Sequence, residues 1–289
     1  MTMPMLQNDY HLSPSRLSDH YSLEITAKDV DALHDSKALI APDTQIAITF
    51  LPGEDPSSRL AATQAVRKLG FEPMPHFSAR RIDSLRSFET YLHAAVAQAG
   101  VTRCFVVAGD PLLPEGPFSD SAALIATGAF ERAGIRTLGV GGHPEGHPHM
   151  SEAQCWDVLQ SKCAEIAGRG MEPLIVTQFG FNADPFVSWL DNLRRWGIDA
   201  PVRIGIPGPA GIKTLLRFAG RCGVGASTAV MAKYGISITR LIGTAGPERL
   251  IDDLAARILP SHGDVRLHFY PFGGIERTVR WIENHRAPR

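Results

Sequence analysis

Eight short apolar runs, at residues 21–26, 45–51, 72–78, 104–109, 137–142, 173–179, 202–207 and 265–272, recur along the chain with longer segments between them. Segments 57–69, 84–99, 119–133, 152–167, 185–196 and 212–221 place apolar residues at i, i+3, i+4 and i+7, the spacing of a helix that covers one side of a sheet. Runs such as CFVVAG and PLIVTQF are apolar without alternation, which suits strands of a parallel sheet buried on both faces. Eight βα units of this kind predict a single (β/α)8 barrel of the TIM type. A doubly wound open sheet is the structural rival, but it ordinarily carries a glycine fingerprint after its first strand, and SLEITAKD has none.

The chain has 289 residues, and one such barrel uses about 250. The predicted organisation is a polar, aperiodic N-terminal extension over residues 1–20 and a barrel over residues 21–289. The segment 223–259 exceeds one βα unit and predicts extra helices, one of them over 247–258, before the last strand.

Net charge is −1, with Lys and Arg dispersed among acids, so the chain lacks the basic stripe that nucleic acid requires. No apolar run reaches the roughly 20 residues of a membrane-spanning helix. Cys104, Cys155, Cys163 and Cys222 lack CxxC spacing, and no secretory signal is present. These features predict reduced thiols, a cytoplasmic location and a small-molecule partner.

In such barrels the active site is built at the carboxyl ends of the strands. Glu24 lies inside the first run between Leu23 and Ile25, where an ionisable group is costly to bury without a partner or a chemical role; an ion pair at the barrel mouth is the alternative. Asp110 follows CFVVAG directly, with Gly109 permitting a close turn and Pro111 fixing the exit. An aspartate after a strand often caps a helix, but the long segment PLLPEGPF delays the next one. Thr49, His76 and Gln178 end the second, third and sixth runs. The segment GGHPEGHPH at 141–149 holds three histidines, yet no cysteine or carboxylate stands at metal-finger spacing and its prolines restrict the loop. It reads as a loop lying against a flat cofactor, with no metal expected.

The blocks SLEIT, IAITF, PMPHFSA, VVAGDPLLP, GGHPEGHP, IVTQFGFN and LHFYPF occur in an order and at strand ends that resemble the methylenetetrahydrofolate reductase family, over residues 22 to 283. The resemblance implies FAD over the carboxyl face of the barrel, with hydride passing between a nicotinamide (NADH or NADPH), the flavin and a reduced folate. It also implies a homo-oligomer. Carried over residue by residue, Glu24 looks like the catalytic acid and Asp110 like the aspartate that binds the pterin. Gln178, Tyr270 and Arg277 fall in the folate-contacting blocks. Thr49, His76, Val107, Ala108, Gly109, Asp110, His143, His147, Asp157 and Lys162 fall in the flavin-contacting blocks.

Elementary chemistry fits these roles. Protonating a ring nitrogen needs a carboxyl that keeps its proton near neutral pH, which burial favours; an ionised carboxylate on a more exposed loop suits a developing cation. The sequence also departs from the family. Ile25-Thr26-Ala27-Lys28 replaces the aromatic residues and prolines expected after the acid. Ala108 stands where the family carries an arginine, and Phe272-Gly273-Gly274 replaces an Asn-Arg pair. Direction of hydride flow stays open. Two other readings are a flavin-free folate-dependent methyltransferase or demethylase on a similar barrel, and a folate- or flavin-binding protein without catalysis.

Overall fold

The computed structural model describes residues 17–222 and 244–286. Its eight parallel strands are β1 (Ser22–Ile25), β2 (Gln45–Ile48), β3 (Glu72–Ser78), β4 (Arg103–Val107), β5 (Thr137–Gly142), β6 (Glu172–Phe179), β7 (Val202–Pro207) and β8 (Val265–Tyr270). Each pairs with its sequence neighbours, and β8 returns to β1, so the sheet closes. The predicted (β/α)8 barrel is the architecture observed.

The helices start where local chemistry starts them. Asp55 accepts a hydrogen bond from the Ser57 amide ahead of Pro56–Lys68, and Ser84 caps Leu85–Ala99, which ends at left-handed Gly100. Ser151 and Gln154 form a reciprocal capping box at the start of Glu152–Gly168. One predicted helix is corrected: 119–133 is two short helices, Ser121–Ile125 and Ala129–Arg132, because Gly128 at φ 70° takes the left-handed conformation between them.

Helix Glu248–Arg257 occupies most of the predicted 247–258 segment. Helix Ile275–Arg286 closes the described chain and lies outside the predicted set. A two-residue antiparallel pair, Ala210–Gly211 with Thr244–Ala245, was likewise unforeseen. Of the proposed extension, residues 1–16 lie outside the described residues, as do 223–243. Leu17 and Ser18 are buried, and Asp19 pairs with Arg286 at 2.6 Å.

Two apolar clusters divide the strand side chains. Leu23, Ile25, Ile46 and Ile48 belong to the large core between strands and helices, whereas Ala47, Met74, Phe105, Leu174 and Val176 form a separate cluster that fills the barrel. Because strand side chains alternate, the interior set also takes in Ser22, Glu24, His76, Gln178, His268 and Tyr270. The register agrees, since Glu24 is level with Ala47, and Ser22 with His268.

Candidate active site

Glu24 is the acid of the barrel interior near its carboxyl end. Its carboxylate is 3.9 Å from His76 Nε2 and 3.8 Å from His268 Nε2. Both imidazoles are buried. His268 Nδ1 is 2.8 Å from Ser22 Oγ, while its Nε2 is shut away from solvent without a hydrogen bond. The ring of His76 packs on Phe105 at 4.7 Å, and burial lowers its pKa to about 4, against the partly opposing pull of Glu24. Near neutral pH, His76 is therefore an uncharged imidazole facing the carboxylate.

Across the barrel, a bulge between Val176 and Phe179 re-aims the end of β6. Thr177 Oγ1 donates to the Gln178 carbonyl and accepts from the Gly205 amide, both at 2.8 Å. Gly205 has to be glycine here, because a Cβ would lie 2.6 Å from the Gln178 carbonyl oxygen. The result leaves Gln178 Oε1 buried with no hydrogen-bond partner, a capacity that a ligand donor would satisfy. Tyr270 donates from its hydroxyl to the Thr177 carbonyl at 3.0 Å, and its ring meets His268 edge-on at 4.8 Å.

The rim carries the other residues singled out by sequence. The Thr49 amide donates to the Ile25 carbonyl at 2.8 Å, fixing the exit of β2 beside that of β1. Val107, Ala108 and Gly109 are half-buried at the end of β4. Gly109 has φ +92°, and a Cβ there would lie 2.0 Å from Ser78 Oγ. Asp110 is largely exposed, its carboxylate 3.2 Å from Arg81, whose guanidinium also reaches Glu115 at 3.5 Å.

Beyond β5, the rings of His143 and His147 pack edge to face at 4.9 Å. Burial, with His147 and Lys162 adding to it, lowers the His143 pKa to about 4. Lys162 is half-buried, and its pKa too is lowered by burial, partly offset by Asp120. His147 feels Lys162 and Arg80 as well. Lysine, arginine and two imidazole donors on one side of the rim suit an anionic, phosphate-bearing cofactor. Asp157 is exposed and lies five residues before Lys162 on the same helix, so the two project in widely different directions. Arg277 is exposed in the first turn of Ile275–Arg286. The described contacts join neither of these two to the Glu24 cluster.

Sequence reasoning did not single out His268 or Ser22. The signal was available: His268 precedes Tyr270 by two residues and so shares its face of the strand.

A family model described as methylenetetrahydrofolate reductase matches residues 29–277. Among curated relatives, the chain is 27% identical over 152 residues to a 5,10-methylenetetrahydrofolate reductase of Pectobacterium carotovorum subsp. carotovorum, covering 53% of this chain and 49% of that protein. It is 28% identical over 136 residues to methylenetetrahydrofolate reductase (NADH) 1 of Arabidopsis thaliana, covering 43% of this chain and 23% of that protein. The matches thus span about half of one relative and about a quarter of the other. Two solved structures are similar in fold. An uncharacterized protein from Clostridium thermocellum, described as binding two copies of 5-methyl-5,6,7,8-tetrahydrofolic acid, superposes with a TM-score of 0.61 at 12% identity, covering 94% of this chain and 97% of that one. A dihydropteroate synthase from Thermus thermophilus superposes with a TM-score of 0.53 at 13% identity, covering 94% and 95%.

Proposed function

The chain belongs to the methylenetetrahydrofolate reductase family, and on that premise we propose that it is an FAD-dependent oxidoreductase interconverting 5,10-methylenetetrahydrofolate and 5-methyltetrahydrofolate. The observation that carries the proposal is Glu24, an acid placed among apolar interior neighbours and faced by two buried imidazoles at 3.8–3.9 Å. Bound flavin would supply hydride transfer to and from the one-carbon unit, and the chain's own residues do the rest.

In the reductive direction the five-membered ring of the substrate must open, and its departing nitrogen needs a proton. Glu24 holds and delivers that proton; in the oxidative direction it takes the proton back. Opening leaves an iminium cation on the pterin side. Asp110, at the solvent-facing rim, stabilises that positive charge and accepts from pterin N–H donors. Gln178 offers its unpaired carbonyl to the substrate, and Tyr270 walls the same side. Thr49, His76, Val107, Ala108, Gly109, His143, His147 and Lys162 form the flavin-holding rim, with Lys162 as the phosphate counter-charge. Asp157 is assigned to the flavin and Arg277 to the folate, both from exposed positions. A folate is further supported by the C. thermocellum neighbour, which is named for binding the methyl form.

The test is a visible spectrum of the purified protein, followed by anaerobic addition of 5-methyltetrahydrofolate. Bleaching of the oxidised-flavin band supports the proposal. A colourless protein that FAD cannot reconstitute would overturn it and favour flavin-free methyl transfer.

A further inference from the structure

Between the exits of β2 and β3, a cavity of about 330 Å³ is bordered by Arg59, Arg81 and Tyr91 and by the carboxylates of Glu54, Asp83 and Glu115, the last already shared with Arg81. Arg59 is only 7% exposed. Its guanidinium carbon stands 3.6 Å from the Phe50 ring centre and 4.7 Å from that of Tyr91. Among the described residues the guanidinium makes no hydrogen bond and no ion pair, and its Nε is fully buried without a partner.

The nearby acids do not neutralise it. Asp55 is committed to capping, its two carboxylate oxygens taken by the Ser57 amide and hydroxyl. Glu54 accepts from the Leu51 amide through Oε2, while its Oε1 is buried and unpartnered. Burial pushes the Arg59 pKa down, and the pull of Tyr91, Glu54 and Asp55 offsets only part of it. Two aromatic faces compensate only part of that desolvation. A guanidinium fork is matched by an oxyanion, and the orphaned Glu54 oxygen by an adjacent N–H or O–H donor.

We propose that this cavity is a subsite for an anionic group, a carboxylate or a phosphate carrying a neighbouring hydrogen-bond donor, seated on the fork of Arg59. The subsite adjoins the proposed folate rim, because Arg81 on its border pairs with Asp110, but it uses none of the Glu24 cluster.

The experiment uses the full chain and two probes, inorganic phosphate and glutarate, each against sodium chloride of matched ionic strength. Melting temperature and titration calorimetry are recorded for the wild type, Arg59→Met and Arg59→Lys. Saturable stabilisation of the wild type by either probe is expected; phosphate alone would identify a phosphorylated ligand, and glutarate alone a carboxylate. Arg59→Met leaves an unbranched apolar side chain beside the two rings without the charged fork, and it should bind at least about tenfold more weakly while melting no lower than the wild type in probe-free buffer. Should the Met variant fail to fold, Arg59→Lys serves, since it keeps the charge but loses the fork and should also bind about tenfold more weakly. A wild type that responds to neither probe beyond chloride would overturn the proposal, as would variants that bind equally well.

Discussion

Nε2 of His268 lies 3.8 Å from the Glu24 carboxylate, and Nδ1 of the same ring is 2.8 Å from Ser22 Oγ. Ser22 thus orients the ring whose other nitrogen faces the acid. Ser22→Ala strips Nδ1 of its partner inside the core, so a stability loss of about 1 kcal/mol is expected, together with a displaced pH profile for the folate half-reaction. Loss of stability with an unmoved profile would make the pair purely structural.

Burial sets a second pH dependence. His76 has its pKa lowered from 6.5 to about 4, so the folded state favours the neutral ring. The resulting stability is fully present above pH 6.5 and is lost as pH falls from there towards 4, where the unfolded chain takes up a proton that the folded chain refuses. The contribution is on the order of 3 kcal/mol. His76→Phe should melt at a temperature that falls less steeply over that window; parallel pH–melting curves would show that His76 carries no such linkage.

Gln178 presents a buried, unsatisfied carbonyl to the barrel interior. Replacing it by Met removes an orphaned acceptor while keeping volume. The variant should be as stable as the wild type or more so by up to about 1 kcal/mol, with the folate KM raised about tenfold. An unchanged KM would remove Gln178 from the substrate site.

Gly109 makes a close turn at the end of β4. With φ +92° and only 2.0 Å between the position a Cβ would take and Ser78 Oγ, Gly109→Ala should cost roughly 1–3 kcal/mol and weaken flavin retention. Adding Ser78→Gly should restore part of that loss by removing the clash though not the backbone strain. A fully additive double variant in thermal melts would argue that the close approach is unimportant.

Asp110 and Arg81 form an exposed ion pair at 3.2 Å, a class worth little to stability. Asp110→Asn is therefore expected to melt within about 1 kcal/mol of the wild type while slowing the folate half-reaction more than flavin reduction by a donor. Equal slowing of both would make Asp110 a scaffold residue.

The barrel was legible because runs such as CFVVAG and PLIVTQF are apolar without alternation, a pattern set by burial on both faces and hence by topology. Strand ends were less so: β2 stops at Ile48, three residues before its apolar run ends. The 119–133 segment misled because helical periodicity says nothing about a glycine's sign of φ. Glu24, His76 and Gln178 stood out from their strand positions and Tyr270 from the family-like block LHFYPF, and all four lie on the interior side of the barrel strands. Neither His268, inside an aromatic block, nor Arg59, within the helical segment 57–69, stood out in the sequence. That its guanidinium is enclosed by Phe50 and Tyr91 depends on loops packing together from separate units, which no local pattern records.

The central claim is that Glu24 handles the proton of folate ring opening. Its most direct test is rapid mixing of the FAD-loaded, prereduced enzyme with methylenetetrahydrofolate, comparing wild type with Glu24→Gln. The variant should retain flavin and folate binding and accept electrons from a donor at the wild-type rate, while reoxidation by the folate slows by about 10²-fold or more. Reoxidation within about threefold of the wild type would contradict the assignment of Glu24 as the general acid.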